Sequence, residues 1–215
     1  MGYGTTLQII MNYKKEQKHF KDHKYVSGPF LSNDIVYMAM RYALFDARRY
    51  PQEEVDEQSP MSHYKYSDPF METLLLLLKP TVENYTGLIL LPTYSYYRTY
   101  WPGADLKVHT DRPECEISAT VCLGYKYTNM PEDYYWALWV KDNDADIPVN
   151  LKPGDGVIYR GCEVEHWRDM FVAPEGSWQT QVFLHYVDAK GPNYKCEFDG
   201  RPDLGYASTK TGINN

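Results

Sequence analysis

The spacing of apolar residues predicts two helices in the first part of the chain. Between Asp34 and Phe45, apolar residues recur every three or four positions, and Ser32 or Asn33 is a candidate N-cap. Pro69 to Asn84 predicts a second helix, whose core is the apolar stretch METLLLLLK. We expect Pro80 to kink this helix or to begin a new turn, because proline lacks a backbone N–H donor.

The segments around these helices predict irregular structure. Residues 1–30 are polar and predict an arm that packs against the domain or stays mobile, and residues 50–60 are acidic and predict an exposed loop. The residues after Lys190 predict a turn-rich tail. We therefore expect one domain, with an arm and supporting helices in 1–86, a core in 87–190 and a tail in 191–215.

From Gly87 the pattern predicts short strands instead of helices. The predicted strands are rich in Val, Ile, Leu, Tyr and Trp, and loops separate them. They are Gly87 to Pro92, Tyr94 to Tyr100, Glu116 to Tyr127, Tyr134 to Lys141, Asp155 to Arg160 and Gln179 to Val187. Strands without intervening helical patterns favour an antiparallel sandwich or barrel, so we expect an α+β fold in which the helices support one face.

Composition narrows the class of protein. Hydrophobic residues make up 43% of the 215 residues and charged residues 24%, which is typical of a soluble globular domain. The net charge of −7 leaves no broad cationic face, so no duplex nucleic acid partner is expected. The longest apolar run, Leu74 to Leu78, is too short to span a membrane. The opening residues do not resemble a signal peptide, and the four cysteines form no CxxC pair, so we expect a cytoplasmic protein with reduced thiols.

Several aromatic, histidine and cysteine residues favour structural roles. The 21 tyrosines are typical of a β-rich chain whose rings line clefts. We expect residues 134–136 and Trp139 to form core and cross-strand pairs. His185 is expected to be a hydrogen-bonded core histidine, with an inward-facing position near the pocket as the alternative. Cys115 and Cys122 are expected to be small apolar fillers.

One motif points to metal chemistry. In an extended strand, His109 and Asp111 project to the same face, where they can occupy two adjacent positions on one metal ion. His166 follows a strand and a Pro-Gly turn, which return the chain across a β-core. Two imidazoles and one carboxylate form the facial triad of non-haem Fe(II) enzymes, which leaves three metal positions open.

These motifs together resemble a known family. YYRTYWPGADLKVHTDRPECEISATVCLGY, then LKPGDGVIYRGCEVEHW, then WQTQVFLHYVD are similar to the 2-oxoglutarate and Fe(II)-dependent dioxygenases, and closest to their prolyl-4-hydroxylase-like branch. The resemblance covers about Leu88 to Asp188. It implies a double-stranded β-helix, or jelly-roll, core with N-terminal supporting helices, and His109, Asp111 and His166 as the iron ligands.

The chain departs from the family at the site for the far carboxylate of 2-oxoglutarate. Members of this branch place a Lys or Arg about ten residues beyond the distal His, but here no basic residue lies between Arg168 and Lys190. A carboxylate inside a barrel needs a cationic partner. We favour Arg168, then Arg98, with Tyr100 as a hydroxyl donor. The remaining candidates are Arg112, Arg160 and Lys126.

The resemblance implies an Fe(II)- and 2-oxoglutarate-dependent oxygenase that uses O₂, hydroxylates a C–H bond and releases succinate and CO₂. The expected substrate is a prolyl or other peptidyl side chain, or a small molecule. Beyond the three metal ligands, the sequence points to no further catalytic residue. Two alternatives stay open: a jelly-roll carbohydrate- or ligand-binding module without catalysis, and a cupin-like metal enzyme that does not use 2-oxoglutarate.

Overall fold

Three α-helices and ten strands form the described part of the chain, residues 3–49 and 59–207 of a computed structural model. The helices are α1 (Tyr3–His23), α2 (Asn33–Arg49) and α3 (Pro69–Thr86). The strands are β1 (Tyr25–Pro29), β2 (Ser62–Tyr66), β3 (Leu90–Tyr100), β4 (Leu106–His109), β5 (Ile117–Lys126), β6 (Leu138–Asp142), β7 (Ala145–Val149), β8 (Asp155–Tyr159), β9 (His166–Arg168) and β10 (Trp178–Asp188). Two 3-10 segments cover Pro113–Cys115 and Tyr194–Gly200.

The strands form two antiparallel sheets. The larger sheet has the order β1-β8-β5-β10-β3-β2, and the smaller has the order β4-β9-β6-β7. From β3 to β10 the chain alternates between the sheets, except that β6 and β7 form a hairpin within the smaller one. Apolar residues of both sheets, such as Val140 and Val157, pack in one buried cluster between them. This is a double-stranded β-helix, so the predicted fold class is confirmed.

The larger sheet has an apolar outer face and a mixed inner face. Because successive residues of a strand point to opposite faces, Tyr97 joins the apolar cluster on the outer face, whereas Tyr96 and Arg98 point inward. The outer cluster includes Ala39 and Ala43 of α2 and Leu75 of α3, so these helices support the sheet as expected. The inner face is left to form a cavity.

Helix α3 has clear signals at both ends. The Asp68 carboxylate accepts hydrogen bonds from the backbone N–H groups of Phe70 and Met71, 3.0 and 3.2 Å away. Gly87 ends the helix in the left-handed conformation, with φ of 74°. The helix continues through Pro80 to Thr86, where tight packing against the sheet outweighs the lost hydrogen bond.

The arm predicted for residues 1–30 packs against the domain over its described part, but its helix and strand were not predicted. Residues 3–23 are helical, and β1 pairs with β8 at one edge of the larger sheet. Strand β2, at the opposite edge, was also missed. Both strands have five residues, and β1 contains Gly28 and Pro29, so neither has a strong strand pattern. Residues 50–58 of the predicted loop lie outside the described residues.

Three other boundaries differ from the sequence predictions. Leu90–Tyr100 is one continuous strand, although two were predicted around Pro92. The strand predicted at Tyr134 to Lys141 begins only at Leu138, because Trp136 packs into a buried aromatic cluster before it. Strands β4, β7 and β9 were not predicted as strands of their own.

The predicted tail is anchored as far as it is described. Asp199 is buried and accepts hydrogen bonds from two nitrogens of Arg112, and Arg201 pairs with the buried Glu72 at 2.7 Å. These buried ion pairs hold the segment against the sheet. Residues 208–215 lie outside the described residues. None of the described helices combines the length and the apolar character that crossing a membrane requires.

Candidate metal centre

The three predicted metal ligands come together at one end of the smaller sheet. His109 ends β4 and His166 begins β9, and these two residues are directly paired across the strands. Asp111 lies two residues beyond β4, where its backbone N–H donates to the Gly161 carbonyl at 2.8 Å. The ligand atoms of all three side chains lie within 4.8 Å of one another.

The distances between these atoms suit a shared metal ion. Oδ1 of Asp111 lies 3.7 Å from Nε2 of His109 and 3.5 Å from Nε2 of His166, which is long for direct hydrogen bonds. For metal–ligand bonds of about 2.1 Å at right angles, neighbouring ligand atoms lie about 3 Å apart. The distances from Oδ1 of Asp111 to the two imidazole nitrogens exceed this spacing by about 0.5 and 0.7 Å, so small movements would bring Oδ1 and each nitrogen to ligand spacing.

Hydrogen bonds orient both imidazoles for metal binding. Nδ1 of His109 lies 2.8 Å from the Lys107 carbonyl, and Nδ1 of His166 lies 3.0 Å from the Val164 carbonyl. A carbonyl only accepts, so each Nδ1 must carry a proton, and in a neutral ring Nε2 then has a free lone pair. Both rings therefore present Nε2 to the centre, the arrangement that outer hydrogen bonds produce in metal sites.

The electrostatics favour the protonation states that a metal requires. Burial lowers the pKa of the His109 imidazole, and the nearby His166 lowers it further. Although burial opposes ionisation of Asp111, the adjacent His166, His185 and the Ser118 hydrogen bond outweigh it and hold the pKa of Asp111 below its usual range. A deprotonated carboxylate beside a neutral imidazole is the state that binds metal.

Gly161 makes room for the Asp111 carboxylate. A Cβ atom at position 161 would lie 2.3 Å from Oδ2 of Asp111 and 2.3 Å from the Cys115 carbonyl oxygen. Neither contact can be relieved without moving the carboxylate or the backbone. The loop that carries Gly161 therefore needs glycine for close approach to a candidate metal ligand.

We expect Gly161→Ala to weaken metal binding at least about tenfold, because it displaces a ligand in the way that loss of outer-shell support does. Isothermal titration calorimetry with Co(II) measures the dissociation constant of the metal. Gly124→Ala is the matched control, because its added Cβ meets the flexible end of the Met40 side chain. Equal Co(II) affinity in the two variants would show that Asp111 does not depend on the space at Gly161.

A cavity opens from the three candidate ligands into the space between the sheets. Its walls are largely aromatic, and its remaining lining includes one cation, a cysteine and a further histidine. The lining residues beyond the candidate ligands are Tyr94, Tyr96, Arg98, Tyr100, Leu106, Cys115, Leu138, Tyr159, Phe183 and His185. As strand alternation predicts, Tyr96, Arg98 and Tyr100 share one wall.

Arg98 lines this cavity directly. Its side chain is buried, and its guanidinium donates to the Ser59 carbonyl, the Ser62 hydroxyl and the Tyr96 hydroxyl at 3.3, 3.0 and 2.9 Å. It also lies 5.8 Å from the centre of the Tyr100 ring. Arg98 thus places a positive charge in the cavity wall, close to the Tyr100 ring.

Arg168 lies inside the barrel but does not line the cavity. Its guanidinium donates to the Trp136 carbonyl at 2.7 Å and to Oε1 of Gln181 at 2.6 Å, and it lies 5.9 Å from the centre of the Tyr100 ring. Nε of Arg168 and Nε2 of Gln181 are buried without a hydrogen-bond partner among the described residues. Within that part of the chain, Arg168 also makes no ion pair with an acidic side chain.

The other basic candidates do not line the cavity, although Arg112 lies 4.8 Å from the centre of the Tyr94 ring in its wall. Arg112 is paired with Asp199, Arg160 lies 3.5 Å from Glu163, and Lys126 is exposed at the end of β5. None of the three lines the cavity. Arg98 and Arg168 differ from these three in that they lie 5.8 and 5.9 Å from the centre of the Tyr100 ring, which lines the cavity.

A group of residues lies behind Asp111, in which His185 is buried and hydrogen-bonded as expected, whereas the role of Ser118 was missed. His185 lines the cavity, and its Nδ1 lies 2.9 Å from Oγ of Ser118, which in turn lies 2.7 Å from Oδ2 of Asp111. Burial lowers the pKa of His185 to about 4. Cys115 is more than an apolar filler, since its Sγ lies 3.0 Å from the Tyr94 hydroxyl in the cavity wall. Strand alternation on β10 places His185 on the same face as Phe183, which was the available signal.

The fold is similar to those of solved oxygenases. No protein-family model and no curated protein matches the sequence. A prolyl-4-hydroxylase from Pseudomonas putida is 16% identical, with a TM-score of 0.64 over 82% of this chain and 98% of that one. HygX from Streptomyces hygroscopicus, with nickel, 2-oxoglutarate and hygromycin B bound, is 13% identical, with a TM-score of 0.62 over 82% and 88%.

A third similar structure contains a peptide. It is a prolyl hydroxylase from Trichoplax adhaerens in complex with a peptide fragment of the hypoxia inducible factor oxygen degradation domain. This structure is 11% identical, with a TM-score of 0.58 over 88% of this chain and 95% of that one. At such low identities, the three likenesses establish a shared fold.

Proposed function

We propose that this chain is an Fe(II)- and 2-oxoglutarate-dependent oxygenase, with His109, Asp111 and His166 as its iron ligands. The observation that carries the proposal is the convergence of two Nε2 atoms and one carboxylate oxygen at the head of a cavity. Each imidazole is oriented through its other nitrogen, so the site is organised for a metal rather than for direct His–Asp hydrogen bonds.

The donor set fits ferrous iron. Two imidazoles and one carboxylate on one face of an octahedron leave three positions for a bidentate co-substrate and O₂. When bound there with 2-oxoglutarate, iron supplies the O₂-dependent oxidation of a substrate C–H bond, with release of succinate and CO₂. The protein contributes the fixed ligand geometry and the aromatic walls that exclude water.

Arg168 is our first choice for the far carboxylate of 2-oxoglutarate. A fully buried guanidinium without an acidic partner is costly, and an anionic ligand would compensate its charge. The unsatisfied Nε of Arg168 and Nε2 of Gln181 supply two further donors. Tyr100, which packs on Arg168 and lines the cavity, is placed to contribute its hydroxyl.

Arg98 is the second choice, since it already lines the cavity. The Arg98 guanidinium lies 5.8 Å from the centre of the Tyr100 ring and donates hydrogen bonds to three oxygen atoms. Arg98 is favoured because its side chain lines the cavity. Arg168 is favoured because its Nε and the neighbouring Nε2 of Gln181 are buried donors without a hydrogen-bond partner among the described residues. We rank Arg168 first because an unfilled donor in a buried cation is the stronger indication of a missing anion.

The proposed reaction is hydroxylation of a peptidyl side chain, including proline, or of a small molecule. One structurally similar protein is complexed with a peptide and another with hygromycin B, so this fold accepts both kinds of ligand. The aromatic walls of the cavity here suit a substrate group with apolar or ring surfaces.

Anaerobic addition of Fe(II) and 2-oxoglutarate tests this proposal. We expect stoichiometric iron binding, and a weak visible charge-transfer band that appears only when 2-oxoglutarate is also present, because chelation joins a ferrous ion to a keto acid. Succinate should form once O₂ is admitted. Iron binding without the band would favour a cupin-like enzyme that does not use 2-oxoglutarate, and a chain that binds no iron would favour a carbohydrate- or ligand-binding module.

A further inference from the structure

Ser118 lies at the centre of a buried hydrogen-bond cluster behind Asp111. Its Oγ lies 2.7 Å from Oδ2 of Asp111, 3.1 Å from the Cys115 carbonyl oxygen and 2.9 Å from Nδ1 of His185. Ser118 and His185 are direct partners in the pairing of β5 with β10, and both are buried. The cluster therefore links the carboxylate to a histidine on a different strand.

The protons of this cluster can be assigned from its acceptors. A carboxylate and a carbonyl only accept, so the single hydroxyl proton of Ser118 points toward them, with the Asp111 oxygen at the shorter distance. The Ser118 oxygen must then accept from His185, so Nδ1 of His185 carries a proton. In a neutral ring, Nε2 of His185 is left as an acceptor, and this ring lines the cavity.

We infer that Ser118 and His185 are positioning residues that restrict Asp111 to single-oxygen metal ligation. With Oδ2 held by Ser118, only Oδ1 faces the two imidazoles. The same cluster presents Nε2 of His185 to the cavity as an acceptor for an O–H or N–H donor. This inference rests on the proposed metal centre, and it assigns roles to residues that the centre itself does not require.

Single-oxygen ligation matters because it keeps metal positions open. If Oδ2 lost its partner, a buried carboxylate oxygen would lack a hydrogen bond, which is costly. Binding the metal through both oxygens would satisfy it but would occupy a further coordination position. By holding Oδ2, the Ser118 hydroxyl therefore keeps open a coordination position on the metal that a bidentate co-substrate needs.

Ser118→Ala tests the positioning role with Co(II) alone as the probe. We expect Co(II) affinity to fall about 10- to 100-fold, the usual effect of losing an outer-shell partner, and the visible d–d spectrum to change as the carboxylate shifts its ligation. Thr120→Val is the matched control, because it removes a buried hydroxyl from the same strand that bonds Tyr159 and not Asp111. The control should keep wild-type affinity and spectrum.

An unchanged affinity and spectrum in folded Ser118→Ala protein would overturn the positioning role. A wild-type chain that binds no Co(II) would instead overturn the proposed function, so the two failures are distinguishable. His185→Asn offers a second variant, since an asparagine amide can still donate to Ser118. We expect His185→Asn to keep more of the Co(II) affinity than His185→Phe, and equal losses in both would contradict the role of His185.

The tautomer of His185 can be measured directly. A two-bond ¹H–¹⁵N spectrum of protein labelled with ¹⁵N-histidine distinguishes protonated from unprotonated ring nitrogens, and His185→Asn assigns the signal by its loss. We expect the proton on Nδ1 and none on Nε2. A proton on Nε2 would mean that the cavity faces a donor, and would overturn the acceptor role.

Discussion

We expect His109→Ala to abolish iron binding and succinate formation. Without this imidazole, two ligands remain on one side of the ion, and the carboxylate loses one of the two nitrogens that converge on Oδ1. Since loss of an outer-shell partner alone costs about 10- to 100-fold in affinity or activity, loss of a ligand should cost more than about 100-fold. Iron content after anaerobic loading and succinate yield from 2-oxoglutarate measure the effect.

The matched control for this experiment is His23→Ala. His23 lies at the end of α1, is half-exposed and hydrogen-bonds Asp142 at 2.9 Å, away from the cavity. Its replacement should leave iron content and succinate yield at wild-type values. If His109→Ala protein that is folded still forms succinate at the wild-type rate, the assignment of the metal ligands is wrong.

Arg168→Met should have the second-largest effect, a loss of 2-oxoglutarate affinity of about 30-fold or more. Truncating one partner of a buried hydrogen-bonded charge pair costs about 2 kcal/mol or more, which corresponds to that ratio. Titration of the Fe(II)-loaded protein with 2-oxoglutarate under anaerobic conditions measures the dissociation constant. Iron affinity should be unaffected, because Arg168 contacts none of the three candidate ligands through a hydrogen bond.

Stability distinguishes this role from a purely structural one. Among the described residues Arg168 has no acidic partner, so Arg168→Met removes a costly buried charge, which offsets the loss of its hydrogen bonds to the Trp136 carbonyl and Gln181, and the melting temperature should not fall greatly. Arg98→Met is the companion variant. If Arg98→Met loses 2-oxoglutarate affinity while Arg168→Met retains it, the carboxylate site belongs to Arg98.

The sequence supported the core of the fold because its strands are long or strongly alternating. Strands β3 and β10 each span eleven residues and are buried over most of their length, so both were predicted as strands, although Pro92 led to β3 being predicted as two. Strands β1 and β2 are five-residue edge strands whose pairing depends on distant partners, so local pattern carries little information about them. The order of the segment after Lys190 was also not predicted, because it depends on ion pairs with residues far away in the sequence. Asp199 pairs with Arg112, and Arg201 pairs with Glu72.

The candidate metal ligands could be proposed from the sequence, but the residues that position them could not. His109 and Asp111 are two positions apart in the chain, and the ordered motifs led to His166. In contrast, the contact of Ser118 with His185 depends on the register between β5 and β10, which spans 67 residues. The need for glycine at position 161 depends on the approach of Asp111 from another loop. Such contacts are set by tertiary packing, which short-range patterns do not encode.

A crystal structure of the protein loaded anaerobically with Fe(II) and 2-oxoglutarate tests the central claim most directly, because anomalous scattering locates the iron. We expect one iron peak, bonded to Nε2 of His109, Nε2 of His166 and Oδ1 of Asp111, with 2-oxoglutarate occupying two further positions. Iron bound elsewhere, or bound without the imidazole of His166, would contradict the account.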